Sequence, residues 1–391
     1  MKLSSDRILT THVGSLPRPT PLLDLLEAEN TGGDVDRATL HAETARAVDD
    51  IVARQVASGI DVVSDGEMSK ISYTFYVRHR LTGIGEGDPS RGRDRAEMVG
   101  RDLLDHPDFM ERQKETGSGW RNQFVQPLCV GPVSYGDRAP LERDLAHFSA
   151  AVEGAAPVEG FLNAASPGVL TKFIPDTYYA DEDAYLAALA GALKEEYEAI
   201  HAGGYLLQID CPDLGSARHN QYQHLSDAEF LRIAERNVEA VNVATANIPP
   251  EAMRMHICWG NYEGPHTHDI PLATVFDVCM KARPQALLFE GANPRHEHEW
   301  EDLAGARIPD DKVLIPGVID STSNFVEHPT LVAQRIGRYA DIVGRERVIA
   351  GADCGFATFA GRRPRVATSI VWAKFEALAE GARIATKRLW N

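Results

Sequence analysis

The chain has 391 residues, 43% of them hydrophobic, which suffices for one large α/β barrel or two ordinary domains. Its formal charge of −17 argues against a sequence-independent nucleic-acid binder, which needs a lysine and arginine excess to neutralise phosphates. No apolar run approaches the ~18–20 residues that cross a bilayer, the start MKLSSDRILTTHVGSL lacks the apolar core of a secretory signal, and five scattered cysteines build no disulfide framework, so the expected location is cytoplasmic.

In chain order, apolar β-branched runs alternate with amphipathic stretches. Strands are expected at 7–15 and 60–67 with a helix at 37–58 between them, then strands at 124–134 and 159–166. The cleanest helix pattern follows at 183–204, where Tyr185, Leu186, Leu189, Leu193, Tyr197 and Ile200 recur at intervals of three and four and Gly203-Gly204 supplies the stop. Further strands at 205–212, 253–260, 286–292, 313–320 and 347–355 alternate with helices at 226–246, 271–282, 328–343 and 366–386. Nine strand candidates in such a chain predict a (β/α)₈ TIM barrel as a single domain over 1–391, with strand 124–134 outside it. A doubly wound open sheet is the alternative, but no GxGxxG turn follows the first strand. Segment 85–123 is polar with charges of both signs, and reads as a helical insertion, either a lid over the barrel mouth or a solvated excursion.

In a barrel, polar residues at the C-terminal strand ends face one mouth, where such folds keep their chemistry. Those residues are His12, Ser15, Asp65, Glu67, Asp210, His256, Cys258, Glu290, Asp320, Asp353 and Cys354. His256 and Cys258 are two apart on one strand and leave it on the same face, so they can share a ligand. An imidazole nitrogen at ~2.1 Å and a thiolate at ~2.3 Å suit Zn²⁺. Cys354, at the end of the last strand, comes close once the barrel shuts, and Glu290, ending the strand after His256, completes a tetrahedron. An isolated HxC is more often inert core; the GADCG strand end and the glutamate of LLFEGA tip the balance toward a metal. Cys129 and Cys279 read as structural and Cys211 as core packing. His266, His268, His296 and His298 read as loop and helix-surface residues rather than a second metal site, and Arg295, at a helix start, as better placed to hold a substrate anion.

THVGSLPRP (11–19), SDGE (64–67), QID followed by Pro212, HIC (256–258), FEGANP and ADCG (352–355) occur in the order and spacing of the cobalamin-independent methionine synthase superfamily, and the whole chain resembles the catalytic C-terminal barrel of that enzyme. The resemblance implies a catalytic zinc on His256, Cys258, Glu290 and Cys354, a thiol-bearing amino acid held by Ser15 and Glu67, and an amine pocket that includes Asp210. It implies methyl or other alkyl transfer to the thiol, homocysteine to methionine in the synthase, with a metal-bound thiolate as nucleophile; of the four ligands Glu290, a carboxylate at a soft site, is the one expected on chemical grounds to yield. Two departures bear on the donor. DSTSN (320–324) lacks the histidine that the synthase carries to protonate its folate leaving group, and Lys172 and Phe173 stand in AASPGVLTKF where its pterin-facing aromatic is not evident. Short superfamily members also include epoxyalkane:coenzyme M transferases, which bind a sulfonate; Arg18, Arg78, Arg218 or Arg295 could supply the basic residues for it. A non-catalytic zinc-binding barrel is the third reading. The expected partners are a small thiol and an alkyl donor, with neither nucleic acid nor membrane; monomer and homo-oligomer both stay open.

Overall fold

Eight parallel strands wind into a nearly closed barrel in the computed structural model, which describes residues 1–86, 100–115, 126–361 and 364–391. They are β1 (Leu9–Thr10), β2 (Val62–Ser64), β5 (Glu159–Ala165), β6 (Leu206–Asp210), β7 (Met253–His256), β8 (Ala286–Phe289), β9 (Val313–Ile319) and β10 (Ile349–Ala352), hydrogen-bonded in the order β1-β10-β9-β8-β7-β6-β5-β2. A parallel bridge from Thr11 to Val62 joins the two ends of that row. Closure leaves no long unpaired edge. The remaining two strands, β3 (Ile84–Gly85) and β4 (Leu128–Cys129), pair antiparallel outside the barrel, so the described part of the run 124–134, from residue 126 on, lies where the sequence pattern puts the extra strand.

Helices α1 (Thr20–Asn30), α2 (Arg37–Ala57), α5 (Ala139–Ala155), α6 (Pro167–Phe173), α7 (Glu182–Ala202), α8 (Asp227–Ala244), α9 (Leu272–Met280), α10 (Trp300–Ala304), α11 (Pro329–Val343) and α12 (Thr368–Trp390) fill the connections between barrel strands. Local chemistry sets their ends. The Asp36, Ser166, Asp181 and Ser226 side chains each accept a first-turn N–H, and Ser226 with Glu229 forms a full capping box. In α7 the six residues of the three-and-four pattern are all buried. Of segment 85–123, α3 (Arg101–Asp105) and α4 (Pro107–Glu115) are described; residues 87–99 and 116–125 lie outside the described residues.

Register decides what faces the barrel axis. Asn163, Gln208, Arg254, Ala286 and Val313 are partners across five successive strands, and Ala165, Asp210, His256, Leu288 and Ile315 form the next row toward the C-terminal ends. Leu9, Leu288, Ile315 and Ile349 belong to one small cluster and Val62, Phe161 and Leu206 to another, both apart from the main core, and Met1 packs against both. Arg254 lies over the Phe161 ring at 4.0 Å, donating to the Thr11 hydroxyl and the His12 carbonyl. Small apolar clusters thus fill part of the interior, while Asn163 of the lower row and Asp210 and His256 of the upper row line the site.

Candidate active site

His256 ends β7, Cys258 follows two residues on, and Cys354 lies two residues past β10. The sulfurs of Cys258 and Cys354 stand 3.7 Å apart, and one donor atom from each of His256, Cys258 and Cys354 falls within 4.8 Å of the others, all three residues being buried. His256 Nδ1 sits 3.4 Å from Asp210 Oδ1, while its Nε2 is buried without a hydrogen-bond partner. Burial works against a charged His256, but the Asp210 hydrogen bond and the nearby Cys258 outweigh it and raise its pKa. The Cys354 contact and burial push the Cys258 thiol well above its usual range. Two sulfurs and an imidazole nitrogen left open, with a carboxylate behind the ring, fit Zn²⁺ by donor type and by the orienting partner that metal-bound histidines carry.

Glu290 stands just outside this group. Its carboxylate accepts from the Trp259 amide at 2.8 Å and from Asn293 Nδ2 at 2.8 Å, so it rests on the backbone next to Cys258. Asp353 fixes that loop from beneath, accepting from the amides of Gly291, Ala292 and Asn293 at 2.8–2.9 Å.

His256, Cys258 and Cys354 open into one cavity of about 1130 Å³ that Ser15, Glu67 and Asp210 also line. Glu67 is buried with a left-handed backbone, φ 58, uncommon for a residue with a side chain. Burial lifts its pKa to about 7 against the pull of Lys70 and Arg18. Arg18 approaches its Oε2 at 3.5 Å without a formed hydrogen bond, and donates instead to the backbone carbonyls of Leu16, Glu67, Lys70 and Ala357. Asn163 donates to Asp210 Oδ2 at 3.0 Å and keeps a buried, unpartnered Oδ1. Carboxylate and amide oxygens with capacity to spare can accept hydrogen bonds from a cationic group. Ser15 packs on Gly355, where a Cβ would lie 2.0 Å from its hydroxyl.

Other strand-end residues serve the scaffold. The His12 ring packs against Phe161 and Phe375 with Nε2 2.6 Å from Gln55, and burial drives its pKa down to about 3. Asp65 accepts from the Glu67 amide, and Asp320 from the Thr322 and Ser323 amides. Cys129, Cys211 and Cys279 are buried in the main core.

The expectation that His266 and His296 lie on the surface is corrected: both are buried, joined through Asp269 Oδ2 at 2.7 and 3.0 Å. His296 Nδ1 meets Glu299 at 2.9 Å, and its ring packs on Trp259 at 4.5 Å. Asp269 is three residues from His266 and Glu299 three from His296, but the contact of His296 with Asp269 spans 27 residues and local spacing does not show it. His268 pairs with Asp105 and His298 is exposed. Of the arginines considered for an anion, only Arg18 lines the cavity; Arg295 is exposed. Tyr73, Asn163 and Arg365 line it without having been singled out from sequence; Asn163 was legible as an inward residue of β5, whereas nothing local marks Tyr73. The described part of segment 85–123 is a cavity wall through Gly100, Leu103, Met110 and Gln113, and Asp102 ties it to the loop after β7 by accepting from Tyr262, at 2.8 Å, and Thr267.

A parallel barrel that gathers thiols, an imidazole and carboxylates at the C-terminal ends of its strands has the build of a barrel enzyme. Residues 85–371 match the family described as cobalamin-independent synthase, catalytic domain, and the chain belongs to that family. It is 22% identical over 386 residues to methionine synthase of Saccharolobus islandicus, covering 97% of this chain and 95% of that protein. To 2-hydroxypropyl-CoM lyase of Xanthobacter autotrophicus it is 24% identical over 427 residues, covering 98% and 96%. It spans only 39% of the longer 5-methyltetrahydropteroyltriglutamate–homocysteine methyltransferase of Streptomyces griseus. The fold is similar to that of a B12-independent methionine synthase from Shewanella sp. W3-18-1 solved with selenomethionine, at TM-score 0.71 and 19% identity over 98% of this chain and 99% of that one.

Proposed function

We propose that this protein transfers a methyl or other alkyl group to the thiol of a small amino acid, homocysteine first among candidates, at a Zn²⁺ site formed by His256, Cys258, Cys354 and Glu290. One observation carries the reading: two sulfurs 3.7 Å apart and an open His256 Nε2 share a cavity with Glu67 and Asp210. Zn²⁺ bound there would supply deprotonation of a substrate thiol, whose free pKa is ~8.5, while leaving the sulfur nucleophilic. Asp210 orients the His256 ring. Glu67, Asp210 and Asn163 hold the substrate ammonium and Ser15 its carboxylate, which fixes the thiol's direction of approach. Glu290 would be the fourth residue to hold the metal and the one to give way to a substrate thiol; the Trp259 amide and Asn293 hold its carboxylate beside Cys258.

The synthase relatives support homocysteine as acceptor. A thiol that opens an epoxide is the second reading, favoured by the lyase relative and by Lys172 and Arg365 on the cavity wall, which suit a sulfonate. The paired carboxylates Glu67 and Asp210 rank the amino acid higher. The test is metal stoichiometry: purified protein should hold about one Zn²⁺ per chain, and Cys258→Ser and Cys354→Ser should each lose it at the same free zinc. Unchanged metal content in either variant overturns the assignment.

A further inference from the structure

We propose that Tyr73 is a catalytic residue of this alkyl transfer, its phenol donating a hydrogen bond to the atom that leaves the alkyl carbon. The inference rests on the thiol-alkylation reading above and adds the group that receives the departing charge.

Position comes first. Tyr73 lines the cavity, and its ring is held edge-on against Phe173 at 5.7 Å and Phe359 at 5.9 Å, two further cavity residues. Cys258 and Cys354 line the same cavity. The Tyr73 hydroxyl makes no hydrogen bond to any described residue, and burial keeps it protonated. Several other donors near the mouth are committed. The Tyr262 hydroxyl binds Asp102 at 2.8 Å, Ser321 binds Asn261 at 3.2 Å, and Thr322 binds Asp320 at 2.8 Å. His219 Nε2 is occupied by the Trp259 carbonyl at 3.1 Å.

Chemistry supplies the need. As substrate sulfur attacks, a sulfur–carbon bond forms, the bond from carbon to its leaving atom breaks, and that bond's electron pair departs on the leaving atom. Beside aromatic walls this charge finds little water, so a donor aimed at it lowers the barrier. When the leaving atom is a basic oxygen, the phenol proton passes to it and the phenolate recovers a proton from water. A leaving iodide needs no proton.

That difference defines the experiment. Zinc-loaded wild type and Tyr73→Phe are assayed with homocysteine against two alkylating probes, propylene oxide and iodomethane, alongside zinc content and calorimetric homocysteine binding. The expected result is a loss of about 100-fold in kcat with propylene oxide, under about threefold with iodomethane, and unchanged zinc and homocysteine binding. Equal losses with both probes, or lost zinc, would reduce Tyr73 to a wall residue and overturn the proposal. So would a wild type that accelerates iodomethane but not the epoxide. If wild type accelerates neither, the thiol-alkylation reading fails and the role of Tyr73 falls with it.

Discussion

Trp259 ties the metal side of the site to the buried histidines behind it. Its amide holds Glu290, its carbonyl receives His219, its indole donates to the Ile270 carbonyl at 2.6 Å, and its ring lies on His296. Both His296 nitrogens face carboxylates, so the ring is an imidazolium: burial opposes the charge, but Asp269 and Glu299 raise the pKa to about 10. A folded pKa above the ~6.5 of a free imidazole contributes stability that is complete below that pH and is lost as pH rises through about 10. His296→Gln should therefore cost about 3 kcal/mol near pH 6, as expected for a broken buried ion pair. The gap to wild type, followed by denaturant melts, should close toward pH 10; a pH-independent gap would contradict the imidazolium. At this scale the sequence disclosed the chemistry that sits on strand ends. HxC spacing and GADCG pointed to His256, Cys258 and Cys354, because strand alternation converts spacing into direction. It did not disclose the burial of His296, which depends on the distant Asp269 and Trp259, nor that His12 turns toward α12, since a strand-end residue can face either side.

Strands β9 and β10 show how elements are fitted to carry these residues. Their register shifts between Gly351 and Ala352, and a Cβ at Gly317 would lie 2.0 Å from Asp353 Oδ1 and 2.6 Å from its Cα. Gly317 thus lets Asp353 reach the amides of the Glu290 loop. Gly317→Ala should destabilise by about 1–3 kcal/mol through overpacking. On α11, Gly337→Ala meets nothing within 4 Å and should instead stabilise by about 0.5–1 kcal/mol through helix propensity. Denaturant midpoints decide both, and a neutral Gly317→Ala would show that β10 can give way. Barrel strands were legible because short β-branched runs bounded by glycine or proline repeat along the chain. The patterns for α1, α5 and α6 were not: α6 packs Gly168, Val169 and Thr171 into seven residues and depends on the Ser166 cap and on burial rather than propensity.

At the scale of the molecule, the parallel order β1-β10-β9-β8-β7-β6-β5-β2 brings chemistry from chain positions as distant as Ser15 and Cys354 to one mouth. No helix among the described residues is long and apolar enough to cross a membrane. Alternation of strand and helix made the barrel foreseeable, and barrel closure made the meeting of Cys258 with Cys354 foreseeable in turn. What stays out of reach of local pattern is the cavity's far wall, because α3 and α4 belong to a polar segment whose docking depends on single contacts such as Asp102 to Thr267. The proposed function requires this mouth to activate a substrate thiol on a metal held by two cysteine sulfurs. Zinc X-ray absorption on the purified protein, alone and with homocysteine added, should show two sulfur ligands rising to three; a count that stays at two means that the metal does not take up the thiol.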